Sequence, residues 1–198
     1  MSSDDPVLQE AVARFIAHYD HVRSNEPMRE PTAVTLATAN AMGQPFARTV
    51  LLKGVDPSGF VFYTNSLSRK GRDLSINARA ALLFFWQGPL EQVQVEGTVS
   101  EVSVEEAEAY WSSRARESQV GAWASLQSEP LASREELDGR FASFDAQFGA
   151  EVARPSHWLG YRVRPERIEF WSGGAHRLNH RESYERGAAG WFKQLLYP

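Results

Sequence analysis

The chain has 198 residues, 42% hydrophobic and 23% charged, the proportions of a soluble globular protein with room for one good core. Its formal net charge of −4 excludes a molecule-wide electrostatic binder of nucleic acid, so affinity for a phosphate has to come from local clusters of cations. The absence of cysteine excludes disulfides, thiolate nucleophiles and cysteine-ligated metals and fits a reducing cytoplasm, while the N-terminus lacks the pattern of a signal peptide and no apolar run approaches the length that spans a bilayer.

The first predicted element is a helix. Asp5 before Pro6 reads as an N-cap with proline at the first helical position. Leu8, Ala11, Val12, Phe15, Ile16 and Tyr19 then recur at three- and four-residue spacing and form one apolar face, with the end expected near Ser24, before Pro27 and Pro31. Its expected role is to cover one end of a sheet.

Strands follow. Ala33 to Ala39 is rich in β-formers, Asn40 to Pro45 is a turn containing Gly43, and Phe46 to Lys53 is the next strand. Side chains alternate across a strand, so Arg48, Val50 and Leu52 share one face while Thr49, Leu51 and Lys53 share the other. The cations near its two ends therefore need not serve the same anion. Asp56 to Gly59 is a turn with Pro57 at its second position. Phe60 to Thr64 and Ala80 to Trp86 are further strands, and Glu91 to Val102 alternates Gln92, Gln94, Glu96 and Thr98 against Val93, Val95 and Val99. Five strands with short turns and few helices between them favour an antiparallel barrel over a βαβ sheet. The absence of GxGxxG and GxxxxGK[ST] patterns agrees.

Two capping boxes, Ser103 with Glu106 and Ser133 with Glu136, start the next helices. The second helix carries Leu137, Phe141, Phe144 and Phe148, a stripe expected to be ordinary core. Pro155 and Pro165 flank a return to strands at Trp158 to Val163, Arg167 to Trp171, and a last pair around Tyr184 and Trp191 to Leu196. The pattern predicts one domain over 1–198, with 1–30 as helix and lead-in and 158–198 returning to the barrel.

Three groups of residues carry candidate chemistry. Ser66, Ser68, Arg69 and Lys70 stand at a loop-to-helix junction, where free N–H groups and adjacent cations suit a phosphate; a solvated basic turn would look the same. Tyr110, Arg114 and Ser118 fall on one face if a single helix runs through them, which makes either a second phosphate site or a surface ion-pair face with Glu106 or Glu117. Gly173 and Gly174 form a turn that presents Arg177 and Arg181 at a site mouth; the nearby His176 and His180 lack the carboxylates or thiolates a metal would need, so no metal is expected. No GxSxG, HExxH or paired general acid and base is recognisable. Trp158, Trp171 and Trp191 could line a flat ligand or a subunit interface as well as a core.

In this order, the segments RTVLLK (48–53), FYTNSLSRK (62–70), EQVQVEG (91–97), SRARESQVGAW (113–123) with LQS (126–128), and IEFWSGGAHRL (168–178) resemble the pyridoxine/pyridoxamine 5'-phosphate oxidase family. The resemblance covers most of the chain from Pro31 onward. It implies a mainly β, Greek-key-like split barrel with flanking helices, binding FMN at the interface of a homodimer to which 158–198 contributes. It places FMN contacts on Arg48, Thr49, Val50, Leu51, Leu52, Lys53, Tyr63, Thr64, Arg69, Lys70, Gln92, Gln127, Ser128, Trp171 and Arg181. It places the substrate phosphate on Lys53, Tyr110, Arg114 and Ser118, with Arg177 and Asn179 over the pyridine ring as the catalytic pair. The implied activity is oxidation of pyridoxamine or pyridoxine 5'-phosphate at C4' to pyridoxal 5'-phosphate, with FMN taking the hydride equivalent and O2 giving H2O2. Arg177 would fix the ring and favour loss of the hydride. The family often has His where this chain has Asn179, which hydrogen-bonds but does not titrate, and the N-terminal arm that carries Arg and Tyr over the substrate in some members is absent or very short. Rival readings are a phenazine-pathway FMN oxidase of the same fold and a non-catalytic carrier of flavin or pyridoxal phosphate. Neither nucleic acid nor membrane is an expected partner.

Overall fold

The computed structural model of the protein describes residues 4–25 and 30–198. Pro27, expected to follow the first helix, lies outside them, as do residues 1–3 of the predicted lead-in. Helix α1 spans Pro6–Asn25, and Asp5 accepts a hydrogen bond from the Val7 N–H at 2.9 Å, as an N-cap should. The helix buries Leu8, Ala11, Val12, Phe15, Tyr19 and Val22. Phe15 is fully buried, with its ring 4.9 Å from Phe60 and 4.8 Å from Phe84, centroid to centroid. Truncating such a residue to Ala costs about 3–5 kcal/mol.

The sheet begins with β1 (Ala33–Ala39), β2 (Pro45–Leu51), β3 (Gly54–Asp56) and β4 (Gly59–Asn65). Helix α2 (Arg69–Ile76) leads to β5 (Arg79–Trp86) and β6 (Glu91–Glu101). After α3 (Val104–Ser112), α4 (Arg116–Ala124) and α5 (Arg134–Gln147) come β7 (Trp158–Ser172), β8 (His180–Gly187) and β9 (Gly190–Leu195). Pairing is antiparallel throughout, in the order β2-β1-β5-β6-β7-β4-β3, with β8 on β7 and β9 on β8. Only Leu52 and Lys53 separate β2 from β3, and the Lys53 N–H donates to the Val61 carbonyl at 2.8 Å, so the two ends of the path adjoin. The result is an antiparallel split barrel. Its interior holds Leu36, Phe60, Phe62, Leu82, Phe84, Val93, Val95 and Ile168, with α1 packed over one opening. A smaller apolar cluster, Trp111, Val120, Val152 and Trp158, lies outside the barrel under α3 and α4.

Four expectations change. The second strand stops at Leu51, and the three-residue β3 was not foreseen. The two strands predicted on either side of Pro165 are one 15-residue strand, β7. Pro165 survives inside it because the pairing with β6 slips there: Glu96 faces Arg167 while Gly97 faces Pro165, leaving Glu166 as the extra residue of a bulge. Proline is tolerated at such a point because no ladder hydrogen bond is asked of its nitrogen. Gly97 is required on the partner strand, since a Cβ there would lie 1.9 Å from the Arg164 carbonyl oxygen. The α5 stripe is not core: the helix has no fully buried residue, and Phe141, Phe144 and Phe148 lie half-buried against the outer cluster. Finally, the run from Tyr110 to Ser118 is not one helix, because α3 ends at Ser112 and α4 starts at Arg116. Both predicted capping serines hold: Ser103 accepts from the Glu106 N–H at 3.1 Å and Ser133 from the Glu136 N–H at 3.2 Å. Among the described residues no helix is long and apolar enough to cross a membrane.

Candidate active site

On β2 the odd-numbered residues face outward. Thr49, Leu51 and Lys53 thereby line a cavity of about 220 Å³ together with Val50, Tyr63, Thr64, Lys70, Tyr110, Arg114, Gln127 and Trp158. An adjoining cavity of about 300 Å³ shares Tyr63, Thr64, Arg114, Gln127 and Trp158 and adds Ser118, Asn65 and Ser125. The break between α3 and α4 therefore does not disperse Tyr110, Arg114 and Ser118: Arg114, in the turn, reaches both cavities.

Two cations, one buried and one half-buried, define this groove. Lys70 is 8% exposed, and its ammonium donates to Thr64 Oγ1 at 3.1 Å, Ser68 Oγ at 3.0 Å and Gln127 Oε1 at 3.1 Å. All three partners are neutral. Burial, with the Arg48 charge second, pushes the Lys70 ammonium down to about 8. Ser68 caps α2 by accepting from the Gly71 N–H at 3.4 Å, and the close approach of the helix to the preceding loop requires Gly71, where a Cβ would meet the Ser66 carbonyl oxygen at 2.1 Å. The second cation is Arg114. Its Nη1 is buried without a hydrogen-bond partner, and its guanidinium carbon lies 5.1 Å from the Trp111 ring centroid and 5.0 Å from that of Trp158. Burial lowers its pKa, partly offset by Tyr110. The ion-pair alternative with Glu106 or Glu117 is not what forms, since Glu106 instead pairs with Arg162. A half-buried guanidinium with an orphaned nitrogen marks a place where an anion completes the structure.

An aromatic stack lines the same groove. Tyr63 lies 4.1 Å from Tyr110 and 5.1 Å from Trp158, nearly parallel to both. Burial first, then the Glu106 charge, pushes the Tyr63 phenol up to about 12. Arg48 turns the other way. It donates to Thr38 Oγ1 at 2.7 Å and lies 3.7 Å from Asp73, whose carboxylate also accepts from Thr38 at 2.7 Å. Arg69 is exposed, with its guanidinium over the Phe46 ring. Leu52 is buried in the core, and Ser128, at φ 77°, lines a separate cavity beneath α5.

The remaining candidates are elsewhere. Gln92, Trp171 and Arg181 stand side by side across β6, β7 and β8, in a single row on the outer face. Trp158 and Trp171 are at opposite ends of β7, which at about 3.3 Å per residue separates them by about 40 Å along the strand. One chain does not bring this row to the Lys70 groove. Arg177 is exposed on a loop whose residues His176 and Arg177 adopt φ of 58° and 65°. Asn179 closes that loop, its Oδ1 accepting from the Gly174 N–H at 3.1 Å. Neither Arg177 nor Asn179 lines the groove.

The family model described as pyridoxamine 5'-phosphate oxidase matches residues 21–148. The chain belongs to the pyridoxamine 5'-phosphate oxidase family. A second model, described as the pyridoxine 5'-phosphate oxidase C-terminal dimerisation region, matches 158–198. The pyridoxine/pyridoxamine 5'-phosphate oxidase of Sphingopyxis alaskensis is 50% identical over 99% of this chain and 88% of its own. That of Rubrobacter xylanophilus is 57% identical over 85% of this chain and 78% of its own. Among solved structures, PhzG from Burkholderia lata, in complex with tetrahydrophenazine-1-carboxylic acid, superposes with a TM-score of 0.87 at 33% identity, covering 99% of this chain and 96% of that one. A pyridoxamine 5'-phosphate oxidase-related FMN-binding protein from Nostoc punctiforme, at 16% identity and a TM-score of 0.77 over 93% of this chain and 96% of that one, shares the fold.

The segments that carry the pyridoxamine 5'-phosphate oxidase resemblance all lie on the groove, the outer row or the Arg177 loop. Reading them in sequence missed residues that hold them: Asp73 and Thr38 behind Arg48, and Glu169 behind Arg181. Trp158, beneath Tyr63, is one of the late tryptophans expected to line a flat ligand, an interface or a core. Thr38 and Glu169 depend on cross-strand register, as where Leu36 faces Arg48 and sets Thr38 diagonally beside it, and Asp73 depends on the packing of α2.

Proposed function

We propose that this chain is an FMN-dependent oxidase of pyridoxamine and pyridoxine 5'-phosphates, acting as one domain per protomer in a homodimer. Amine, O2 and water give pyridoxal 5'-phosphate, ammonia and H2O2; the alcohol and O2 give the same aldehyde and H2O2. The observation that carries the reading is a pair of cations without a carboxylate partner, buried Lys70 and half-buried Arg114, in one groove with the Tyr63, Tyr110 and Trp158 rings. Two anions are needed, and a flavin mononucleotide with a phosphorylated substrate supplies two. The names of the curated relatives point the same way.

In this reading Lys70, the α2 N-terminus and Arg69 hold the FMN phosphate, with Arg48 braced by Asp73 at the base. Thr49 to Lys53, Tyr63, Thr64, Gln127 and Ser128 line the rest of its path. Arg114, Lys53, Tyr110 and Ser118 hold the substrate phosphate. FMN, when bound, supplies the two-electron acceptor that no side chain here provides. The protein's part is to orient, to neutralise charge and to exclude water. Gln92, Trp171, Arg181, Arg177 and Asn179 reach the cofactor and the pyridine ring from the partner protomer, since about 40 Å of β7 is further than one mononucleotide spans. The match to a dimerisation region over 158–198 supports that assembly.

The likeness to the Burkholderia lata protein keeps a phenazine acid as the second reading. A phenazine carboxylate has no phosphate to engage Lys53, Tyr110, Arg114 and Ser118 together, which favours the phosphorylated substrate. Oxygen uptake by the FMN-loaded protein decides between them: pyridoxamine 5'-phosphate is expected to turn over and a dihydrophenazine acid not, and the reverse would transfer the chain to the second reading. Co-expressing Lys70→Met with Arg181→Met tests the shared site. Each homodimer is expected to bind FMN poorly, while the mixed dimer regains one intact site of two. No recovery in the isolated mixed dimer would place all FMN contacts within one protomer.

A further inference from the structure

The carboxylate of Glu169 is 2% exposed and lies on the outer face of β7, two residues before Trp171. Its Oε1 accepts from Arg181 Nε at 2.7 Å and its Oε2 from Arg181 Nη2 at 3.1 Å, a bidentate pair. Arg167 also donates to Oε2 and is itself held by Glu185 at 3.1 Å and Glu96 at 2.9 Å. Burial works against the charged form of Glu169, but the hydrogen bonds from Arg181 and Arg167 outweigh it and hold the carboxyl below its ordinary range. Arg181 is correspondingly raised, first by its hydrogen bond to Glu169.

A guanidinium has five N–H groups in a rigid plane. In Arg181, Nε and one Nη2 hydrogen are used by Glu169, and Nη1 donates to the Tyr197 carbonyl at 3.0 Å. The donors left over are one N–H on each Nη, at the tip of the fork. The plane of that fork is set by Glu169, because a bidentate carboxylate permits no rotation about the last side-chain bond. We infer that Glu169 is a positioning residue that fixes Arg181 in the Gln92–Trp171–Arg181 row, so that the two remaining guanidinium N–H groups present a preset donor pair to the flavin. This rests on the proposal that the row contacts FMN. Glu169 also cancels the charge of Arg181, so it sets how much positive potential the flavin meets there.

The test is a double-mutant cycle read by FMN affinity, from quenching of flavin fluorescence, and by the reduction potential of bound FMN. Arg181→Met is expected to weaken FMN by about tenfold to 150-fold, the range for a hydrogen bond to a charged group. Glu169→Gln keeps one acceptor oxygen and the volume, and is expected to weaken FMN less and to raise its potential, because Arg181 is left uncompensated. In the Arg181→Met background Glu169→Gln is expected to leave the affinity for FMN unchanged. Glu169→Asp, which keeps the charge, is expected to retain the wild-type potential. If Arg181→Met binds FMN normally, the row does not hold the cofactor and the inference falls with that reading. If Arg181→Met weakens FMN but Glu169→Gln leaves the affinity unchanged, or its effect on affinity adds in full to that of Arg181→Met, Glu169 does not act through Arg181 and the inference alone is overturned.

Discussion

Replacing Arg114 with Met removes a charge while keeping most of the apolar length that packs near Trp111 and Trp158. In the ligand-free protein this charge has no carboxylate partner among the described residues and one orphaned nitrogen, so it opposes folding. Against that stands a cation–π contribution of about 0.5–2 kcal/mol. Desolvation and cation–π terms of similar size leave the unliganded variant as stable as the wild type or more so. Substrate binding moves the other way. Losing a hydrogen bond to a charged group costs about 1.5–3 kcal/mol, which is roughly a tenfold to 150-fold fall in kcat/KM for pyridoxamine 5'-phosphate. Two measurements check this: initial rates of pyridoxal 5'-phosphate formation, and melting temperature with and without pyridoxal 5'-phosphate. The wild type is expected to gain stability with ligand and Arg114→Met to gain little. An unchanged KM, or a ligand-free variant less stable by more than about 2 kcal/mol, would show that Arg114 is a structural cation and not a phosphate ligand.

Lys70 makes FMN binding depend on pH. The FMN phosphate is fully ionised above pH 7, so the Kd is expected to rise as pH passes through about 8 and Lys70 loses its proton. The ligand-free protein shows the opposite trend: between about 8 and the ordinary lysine value of 10.5 the unfolded chain holds the proton and the fold does not, so Lys70's contribution to stability grows with pH. A Kd that stays flat from pH 7 to 9.5 would refute the assignment. Gly71→Ala normally gains in a helix, but the Ser66 carbonyl oxygen 2.1 Å from the new Cβ reverses the sign here. A loss of about 1–3 kcal/mol is expected in urea melts, together with weaker FMN binding. Arg177→Met is expected to keep FMN bound with its visible spectrum intact and to cut turnover; full activity would remove Arg177 from the chemistry.

Much of this architecture is legible in the residues because local signals agree with the fold. The alternation of Glu91 to Val102, the capping serines 103 and 133, and the apolar face from Leu8 to Tyr19 each need only nearby neighbours to form. What was misread depends on distant partners. Pro165 signals a break and instead sits in a continuous strand, because the slip that accommodates it belongs to the pairing with Gly97. Arg48 reads as a free anion ligand until the register with β1 sets Thr38 beside it and the packing of α2 brings Asp73 to it. Tyr110, Arg114 and Ser118 do not share one helix, because the helical run breaks between α3 and α4; they meet at two adjoining cavities that Tyr63 and Trp158 both line.

The bulge at Glu166 also decides parity. Trp158 and Trp171 are thirteen residues apart, an odd number, and regular alternation would turn them to opposite sides of the sheet. Before the bulge Tyr161 and Val163 point into the barrel; after it Ile168 and Phe170 do. One extra residue therefore exchanges odd for even, and both tryptophans emerge on the same side. Were Glu166 paired into the ladder instead of bulged, every strand could still pair, yet Arg167, Glu169 and Trp171 would turn inward and Ile168 and Phe170 would be expelled. A single unpaired residue thus keeps two ends of one strand available to a common surface.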